Sequence, residues 1–353
     1  MLTHKIHTGI VFSLILTFLV ITAIALYADL PHMAVALTRF RWDYLPLILG
    51  FTLFNYFWRV RKWQSYLRRV EISIRWPKSL LIFLSGLSMA ITPGKVGELL
   101  KSYQLKQATG SSLSRTSPII VAERLTDGIA MLGLAATGLV LYSFGRELFF
   151  ALLVIGLAGI ILLQNRPLSL KLLSSGERLP LVSRVAHLAC TFYESSYRLL
   201  QWRPLLLAVC IGIISWSGEC IALYFVYHGL GITASIDLLI KAMFILAFSS
   251  LIGSVSGLPG GLGAADGSML GLTRILVSSS VSLGGAATLL IRLCTLWFGL
   301  LLGVSAVLIL RFVQHATVSE RRGDGWEEQN QMNERLFGFK PASPSANTGE
   351  KVV

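Results

Sequence analysis

An uncharged apolar run near the N-terminus constrains this chain most. In residues 9–28 only serine, threonine and tyrosine interrupt the apolar side chains, and no charged residue occurs. About 20 helical residues, each rising about 1.5 Å, cross a hydrocarbon core of about 30 Å. The run is longer than the apolar part of a signal peptide and has no clear small-residue cleavage site. We therefore interpret it as a membrane anchor.

Further runs of the same kind follow. Backbone amides and carbonyls find no water inside lipid, so such spans must be helical. Of all residues 54% are hydrophobic and 14% are charged, whereas a soluble domain has about 25% charged residues. We predict an all-α polytopic membrane protein with about six to eight transmembrane helices plus broken, re-entrant helices. The other predicted spans are residues 45–58, 125–142, 148–163, 205–227, 238–255 and 284–310.

The net charge of +13 would suit a nucleic-acid partner, so its location matters. Most basic residues lie between the spans, concentrated in 59–78 and 164–203, and the alternate connections are nearly balanced or uncharged. This is the positive-inside pattern, and it predicts a multi-pass protein of the cell (inner) membrane with both termini in the cytoplasm. Anionic lipid headgroups are the natural partner of such loops, and nucleic acid is not needed to explain them.

We predict one membrane domain over residues 1–311 and a disordered cytoplasmic tail over 312–353, because the tail is polar and lacks apolar periodicity. The segment 176–203 has apolar residues at near-helical spacing. It fits an amphipathic helix on the cytoplasmic surface or a loop helix packed on the bundle. The four cysteines show no metal-type spacing, so no metal site is predicted.

Two spans break at clusters of proline and glycine, at residues 92–98 and 257–263. Each break is followed by a short helix, predicted at 98–107 or 264–276, and then by a small polar loop. A long helix with an early arginine, Arg124 or Arg292, comes next. The connections that precede the two units lie on opposite predicted faces. This layout predicts inverted repeats over 79–144 and 237–311, which commonly place a site near the membrane midplane. The alternative is two unrelated kinks, which are frequent in membrane helices.

Ionisable residues near the start of the span 125–142 are costly in lipid and favour a functional role. Glu123 and Asp127 share a helix face and would repel each other unless a cation or proton lies between them. Arg124 projects about 100° away from that face, so we expect the cations to come from elsewhere. An ion-pair network that only locks helices together is the alternative. The candidate cations are Arg292, Lys95 and Lys101.

The two breaks also carry candidate anion-binding groups. Lys95, Glu98 and Lys101 recur every three residues after Gly94, where free amides at a helix start would form a phosphate cradle. Gly260, Gly261 and Gly263 offer similar close approach of the backbone, with Asp266 nearby. Glu219 lies within a span, where it could serve a proton or substrate path or pair with Arg292. The sequence has no Walker, HExxH, GxSxG or CxxC motif that would indicate an ATPase, metalloprotease or thiol enzyme.

Four motifs resemble the lysylphosphatidylglycerol synthase transmembrane (flippase-domain) family: TPGKVGELLKS at 92–102, ERLTD at 123–127, PGGLG at 259–263 and IRL at 291–293. The resemblance covers most of residues 1–311. It implies a lipid flippase-like domain with re-entrant helices around a lipid-headgroup site. Bifunctional members carry a large soluble aminoacyl-transferring domain, and here about 40 polar residues follow Arg311, so we expect no aminoacyl transfer. Asp266 stands where many relatives are expected to have Glu.

The resulting hypothesis is a transporter, not an enzyme, that moves an anionic phospholipid or polyprenyl-linked lipid between leaflets without a cofactor. The alternative is a non-transporting membrane partner of an enzyme of envelope lipid, hopanoid or glycolipid synthesis. An intramembrane transferase, supported only by the buried acid–base cluster, ranks last. The predicted headgroup ligands are Lys95, Lys101, Arg124, Arg292, Gly94, Gly260 and Gly261. The predicted charge partners or proton acceptors are Glu98, Glu123, Asp127, Asp266 and Glu219.

Overall fold

The computed structural model describes residues 30–92, 97–139, 146–167, 169 and 186–313, and these residues form helices with short connections. Contacts divide the chain into a unit over Met1–Ala306 and a unit over Val307–Val353. The predicted anchor at 9–28 and the tail from residue 314 lie outside the described residues. The helices are α1 (Leu30–Thr38), α2 (Leu45–Arg69), α3 (Trp76–Leu87), α4 (Leu99–Thr109), α5 (Leu113–Leu139), α6 (Arg146–Gln164), α7 (Ala186–Leu200), α8 (Trp202–Gly229), α9 (Ile236–Val255), α10 (Ala264–Leu276) and α11 (Val281–Val313).

Local sequence signals fix several helix ends. Ser235 caps α9, and its Oγ accepts a hydrogen bond from the Leu238 amide at 3.0 Å. Ser280 caps α11 in the same way, accepting from the Leu283 amide at 3.3 Å. Gly110 ends α4 in the left-handed conformation, with φ of 74°, which glycine adopts without steric cost. These caps satisfy amides and carbonyls that lack partners within the helices.

Three described helices, α8, α9 and α11, are long and apolar enough to cross a membrane. The apolar part of α6, Phe149–Gln164, is shorter. α2 and α5 match predicted spans in position but carry buried charged residues. The chain is an all-α membrane protein, which confirms the predicted fold class.

One predicted boundary is wrong. The second span was expected to end at Trp58 and to be followed by a basic cytoplasmic loop, but α2 continues to Arg69. Arg59 and Lys62 are therefore helical, and only 7% and 1% exposed. They remain in the protein interior because carboxylates of α5 neutralise them, as described below. Two of the positive charges that were assigned to the cytoplasmic loop therefore lie in the protein core.

The order of parts predicted for the two repeats is present. α3, α4 and α5 follow one another in the first unit, and α9, α10 and α11 in the second. The short helix predicted at 264–276 is α10 with the same bounds, and the one predicted at 98–107 is α4 with small shifts. The second break contains a 3₁₀ turn, Pro259–Gly261, and glycines at positive φ. Residues 93–96 of the first break lie outside the described residues, and opposite orientation of the units stays a prediction.

α11 approaches α2 and the end of α3 closely at two glycines four residues apart. A Cβ on Gly299 would lie 2.3 Å from Tyr56 Oη, and one on Gly303 would lie 2.2 Å from the Ser88 amide nitrogen. Small residues at this spacing let helices pack at short range in lipid. The helix also contains a π-helical stretch, Leu293–Trp297. The Tyr56 hydroxyl donates to the Thr295 carbonyl in that stretch at 2.9 Å.

α7 packs against α5, with Tyr193 and Leu199 buried. The Tyr193 hydroxyl donates to the Leu163 carbonyl at 3.1 Å, which ties α7 to the end of α6. This favours the loop helix packed on the bundle over a helix lying on the membrane surface. Residues 176–185 of the predicted segment lie outside the described residues.

Candidate anion-binding site

Glu123 on α5 is the centre of a buried charge cluster. Its carboxylate is 2% exposed and lies 3.0 Å from Arg59 Nη2, 2.7 Å from Lys101 Nζ and 3.1 Å from Arg124 Nη2. The three cations come from three helices: α2, α4 and α5. One carboxylate therefore joins the middle of α2 to the first repeat. Burying a lone carboxylate in such a place would be prohibitively costly, and the cations offset that cost.

Arg124 contradicts the expectation from its helix position. Its Nη2 lies 3.1 Å from Glu123 and 3.2 Å from Asp127 Oδ2, so it contacts both carboxylates that it was expected to miss. Its Nε lies 3.5 Å from Glu98 Oε2. The long side chain and forked guanidinium reach around the helix, so the direction of the Cα–Cβ bond does not limit the contacts.

Asp127 has a second cation from α2. Lys62 Nζ donates to Asp127 Oδ1 and lies 3.5 Å from Thr126 Oγ1. Tyr66, one turn along α2, shares a hydrogen bond of 2.9 Å with the same Thr126 hydroxyl. α2 thus presents a basic and polar stripe, Arg59, Lys62 and Tyr66, to the acidic face of α5.

Lys101 on α4 lies in an aromatic and acidic pocket. Its Nζ is 3.6 Å from Glu98 Oε2 and lies 5.2 and 5.3 Å from the ring centroids of Trp63 and Phe83. Aromatic faces attract a desolvated cation. The Lys101 stem crosses Gly86 of α3, where a Cβ would lie 2.7 Å from it. Gly86 therefore gives Lys101 the space to reach the cluster.

The second unit has a smaller arrangement. Arg292 Nε on α11 donates to Asp266 Oδ1 on α10, and Arg292 Nη1 lies 3.5 Å from the Gly260 carbonyl oxygen. The amides of Gly261 and Gly263 donate to the Leu258 carbonyl at 2.9 Å and to Asp266 Oδ2 at 2.9 Å. The turn and the Asp266 cap already use these two amides, so neither is free to donate to a phosphate, and binding of a headgroup at Gly260 and Gly261 stays a prediction.

A cavity of about 130 Å³ lies where these parts meet. At about 30 Å³ of liquid volume for each water molecule, it holds about four waters, which is room enough for a phosphate group. The charged residues of its wall are three arginines and two glutamates, and they lie near the middle of long helices or at a break. The lining residues used below are Arg59, Arg124, Arg292, Glu98, Glu219, Tyr56, Trp216, Gly260 and Gly261.

Four residues of this wall carry buried N–H groups that have no hydrogen-bond partner among the described residues. These donors are Arg59 Nε, Arg124 Nε, Arg292 Nη2 and Trp216 Nε1. An unsatisfied buried donor costs about 1–3 kcal/mol, and a charged one more. The residues that carry these donors line one cavity, and this arrangement favours an acceptor-rich ligand. An anion with several oxygens, such as a phosphate group, matches both their charge and their number.

Most predicted site residues meet at this cavity or directly behind it. Arg124, Arg292, Glu98, Glu219, Gly260 and Gly261 line it. Lys101, Glu123, Asp127 and Asp266 contact those arginines or their partners. Gly94 and Lys95 lie outside the described residues. Of the cations proposed for Glu123 and Asp127, Lys101 contacts Glu123, whereas Arg292 pairs with Asp266.

Arg59 and Lys62 were not among the predicted site residues. Both were assigned to a cytoplasmic loop, although a signal was available. Arg59, Lys62, Trp63 and Tyr66 continue the three- and four-residue spacing of the inward face of α2, whereas the neighbouring Arg61 is exposed. The described residues contain no cluster of His, Cys, Asp and Glu able to hold a metal ion.

The fold and the site define an all-α membrane protein whose helices enclose a cationic cavity of headgroup size. The chain belongs to the family described as the lysylphosphatidylglycerol synthase TM region, whose sequence profile matches residues 9–303. This confirms the resemblance noted in the motifs. A UPF0104 membrane protein of Methanothermobacter thermautotrophicus is 26% identical over 290 residues, covering 74% of this chain and 83% of that protein. A UPF0104 membrane protein of Methanocaldococcus jannaschii is 24% identical over 213 residues, covering 57% and 84%.

Proposed function

We propose that this chain moves an anionic lipid, a phospholipid or a polyprenyl-linked lipid, between the leaflets of the cell membrane. The observation that carries the proposal is that three arginines of the cavity wall, Arg59, Arg124 and Arg292, each have a buried N–H that makes no hydrogen bond to the described residues. A lipid phosphate would supply the missing acceptors. The family membership supports a lipid substrate over a soluble anion.

The size of the cavity limits what enters it. About 130 Å³ takes a headgroup, whereas acyl or polyprenyl chains need far more room and would remain in the surrounding lipid. A phosphate crossing the bilayer unaided would have to leave water for hydrocarbon, which costs many kcal/mol. Arginines near the middle of α2, α5 and α11 would replace water around the phosphate and lower that barrier. Broken helices that present a site at this depth are typical of secondary transporters.

The carboxylates have a second role in this proposal. Glu98 and Glu219 lie on the same wall as the arginines and would orient them or take up a proton as the anion enters. Because the sequence has no nucleotide-binding motif, we propose downhill or ion-coupled movement.

The test is a lipid-flipping assay on the purified full chain in vesicles of phosphatidylethanolamine and phosphatidylglycerol with a trace of fluorescent phosphatidylglycerol. Dithionite destroys the fluorophore of the outer leaflet, and later loss of the protected signal reports movement between leaflets. Wild-type protein should accelerate that loss, and Arg124→Gln should slow it at least about tenfold. Arg115→Gln is the matched control, because Arg115 is on the same helix but exposed and paired with Glu71 at the surface.

Two results would overturn the proposal. Wild-type vesicles that lose signal no faster than empty ones would exclude movement of this lipid class. If native mass spectrometry then showed phosphatidylglycerol retained by wild type and lost in Arg124→Gln, the non-transporting partner of a lipid-synthesis enzyme would replace it. Equal rates for wild type and Arg124→Gln would instead remove the cavity from the transport path.

A further inference from the structure

The two units place a carboxylate and an arginine at the same separation. Glu98 and Arg124 are 26 residues apart and form an ion pair of 3.5 Å. Asp266 and Arg292 are also 26 residues apart and form the ion pair described above. The helical order around each pair is the same, namely a break, a short helix and a long helix. Equal spacing within equal layouts indicates that the pairs are counterparts in the two repeats.

The four side chains occupy matching positions in their units. Glu98 directly precedes α4, and Asp266 is in the first turn of α10. Each carboxylate therefore lies at the start of the short helix, just after the break. Both carboxylates are buried, at 6% and 2% exposure. Both arginines belong to the following long helix and line the same cavity.

Each arginine is only partly used by its carboxylate. Arg292 Nη2 has no hydrogen-bond partner among the described residues, and Arg124 Nε faces Glu98 Oε2 at 3.5 Å as an ion pair without making a hydrogen bond. A phosphate group offers more oxygens than a carboxylate and binds a guanidinium through two parallel hydrogen bonds. A phosphate at Arg292 would accept from Nη2 and compete with Asp266 for Nε, and a phosphate at Arg124 would compete with Glu98 for Nε.

We infer that Glu98–Arg124 and Asp266–Arg292 are equivalent half-sites, one from each repeat, in which the carboxylate competes with a lipid phosphate for the arginine. The inference rests on the proposed phosphate site. In the empty protein Asp266 neutralises Arg292, and Glu98 shares the charge of Arg124 with Glu123 and Asp127. In the loaded protein it stays close to the bound anion and weakens binding. A site that must also release its ligand requires such moderate affinity.

The experiment measures phosphatidylglycerol retained by the purified full chain in mild detergent, using native mass spectrometry over a titration of that lipid. Glu98→Gln and Asp266→Asn each remove one competing charge and keep a side chain of similar shape. Loss of a unit negative charge several ångströms from the phosphate should raise retention about tenfold in each variant. Glu194→Gln is the control, since Glu194 pairs with Arg166 at 2.7 Å on the exposed surface, and it should leave retention unchanged.

A second pair of variants guards against misfolding. Arg124→Lys and Arg292→Lys keep the positive charge but lose the forked geometry, and each should lower retention about tenfold. Similar increases for the two carboxylate variants, together with similar decreases for the two lysine variants, support equivalent half-sites. A response at one unit only, or lower retention in Glu98→Gln and Asp266→Asn, would overturn the inference.

Transport and half-sites can fail separately. If wild type does not flip phosphatidylglycerol but both carboxylate variants retain more of it, the half-sites stand and the transport proposal falls. If wild type flips lipid while neither carboxylate variant changes retention, the half-site inference falls and transport stands.

Discussion

Neutralising Glu123 is the sharpest test of the charge cluster. The Glu123 carboxylate contacts Arg59, Lys101 and Arg124 at 2.7–3.1 Å and is 2% exposed. Glu123→Gln preserves the shape of the side chain but removes the only charge that all three cations share among the described contacts. They would then repel one another in a poorly solvated interior.

The magnitude follows from burial. Removing one partner of a buried ion pair costs about 3–5 kcal/mol, because the remaining charge is left uncompensated. That is a large fraction of the total stability of about 5–15 kcal/mol that is usual for a folded protein. For a chain of this size, about 2 °C of melting temperature is lost for each kcal/mol. We expect Glu123→Gln to melt about 6–10 °C below wild type.

The assay is thermal unfolding of the purified protein in one detergent, followed by tryptophan fluorescence, with Glu71→Gln as the matched control. Glu71 also contacts two arginines, Arg115 at 3.3 Å and Arg198 at 3.4 Å, but its side chain is 70% exposed. Water and salt screen such a pair, so this control should melt within about 1–2 °C of wild type. Equal melting temperatures for Glu123→Gln and Glu71→Gln would refute the idea that burial makes the cluster structurally essential.

Two further changes test the packing and the unexpected basic residues. Gly299→Ala would place a methyl group 2.3 Å from Tyr56 Oη and should destabilise the protein by about 1–3 kcal/mol. Gly159→Ala is the control, because its methyl group would meet nothing within 4 Å and should leave the stability unchanged. Unfolding in a denaturing detergent distinguishes the two variants. Lys62→Met should cost about 3–5 kcal/mol in the same measurement, because the buried Asp127 carboxylate loses one of its two cations. The adjacent, exposed Arg61→Met should be nearly neutral. Equal stability of the two methionine variants would show that Lys62 is not paired in the membrane.

The sequence by itself determined the class of fold. Long apolar runs such as 205–227 and 238–255 must be helices in lipid whatever their neighbours, because only a helix satisfies their backbone groups internally. The structure places α8 and α9 there with ends shifted by a few residues. The cluster of proline and glycine likewise predicted the position of the second break, because these residues change the allowed backbone conformation only within a few residues of themselves.

The tertiary structure alone decided which charges meet. Arg59 and Arg61 are equally basic and two residues apart, yet one is buried against Glu123 and the other is exposed. That difference depends on which face of α2 packs on α5, and α5 lies more than 40 residues further along the chain. The reach of Arg124 around its own helix is a similar case. The spacing of residues along a helix determines the direction of each Cα–Cβ bond. The end of a long side chain instead adopts the position in which distant partners, here Glu98 and the cavity, lower its free energy.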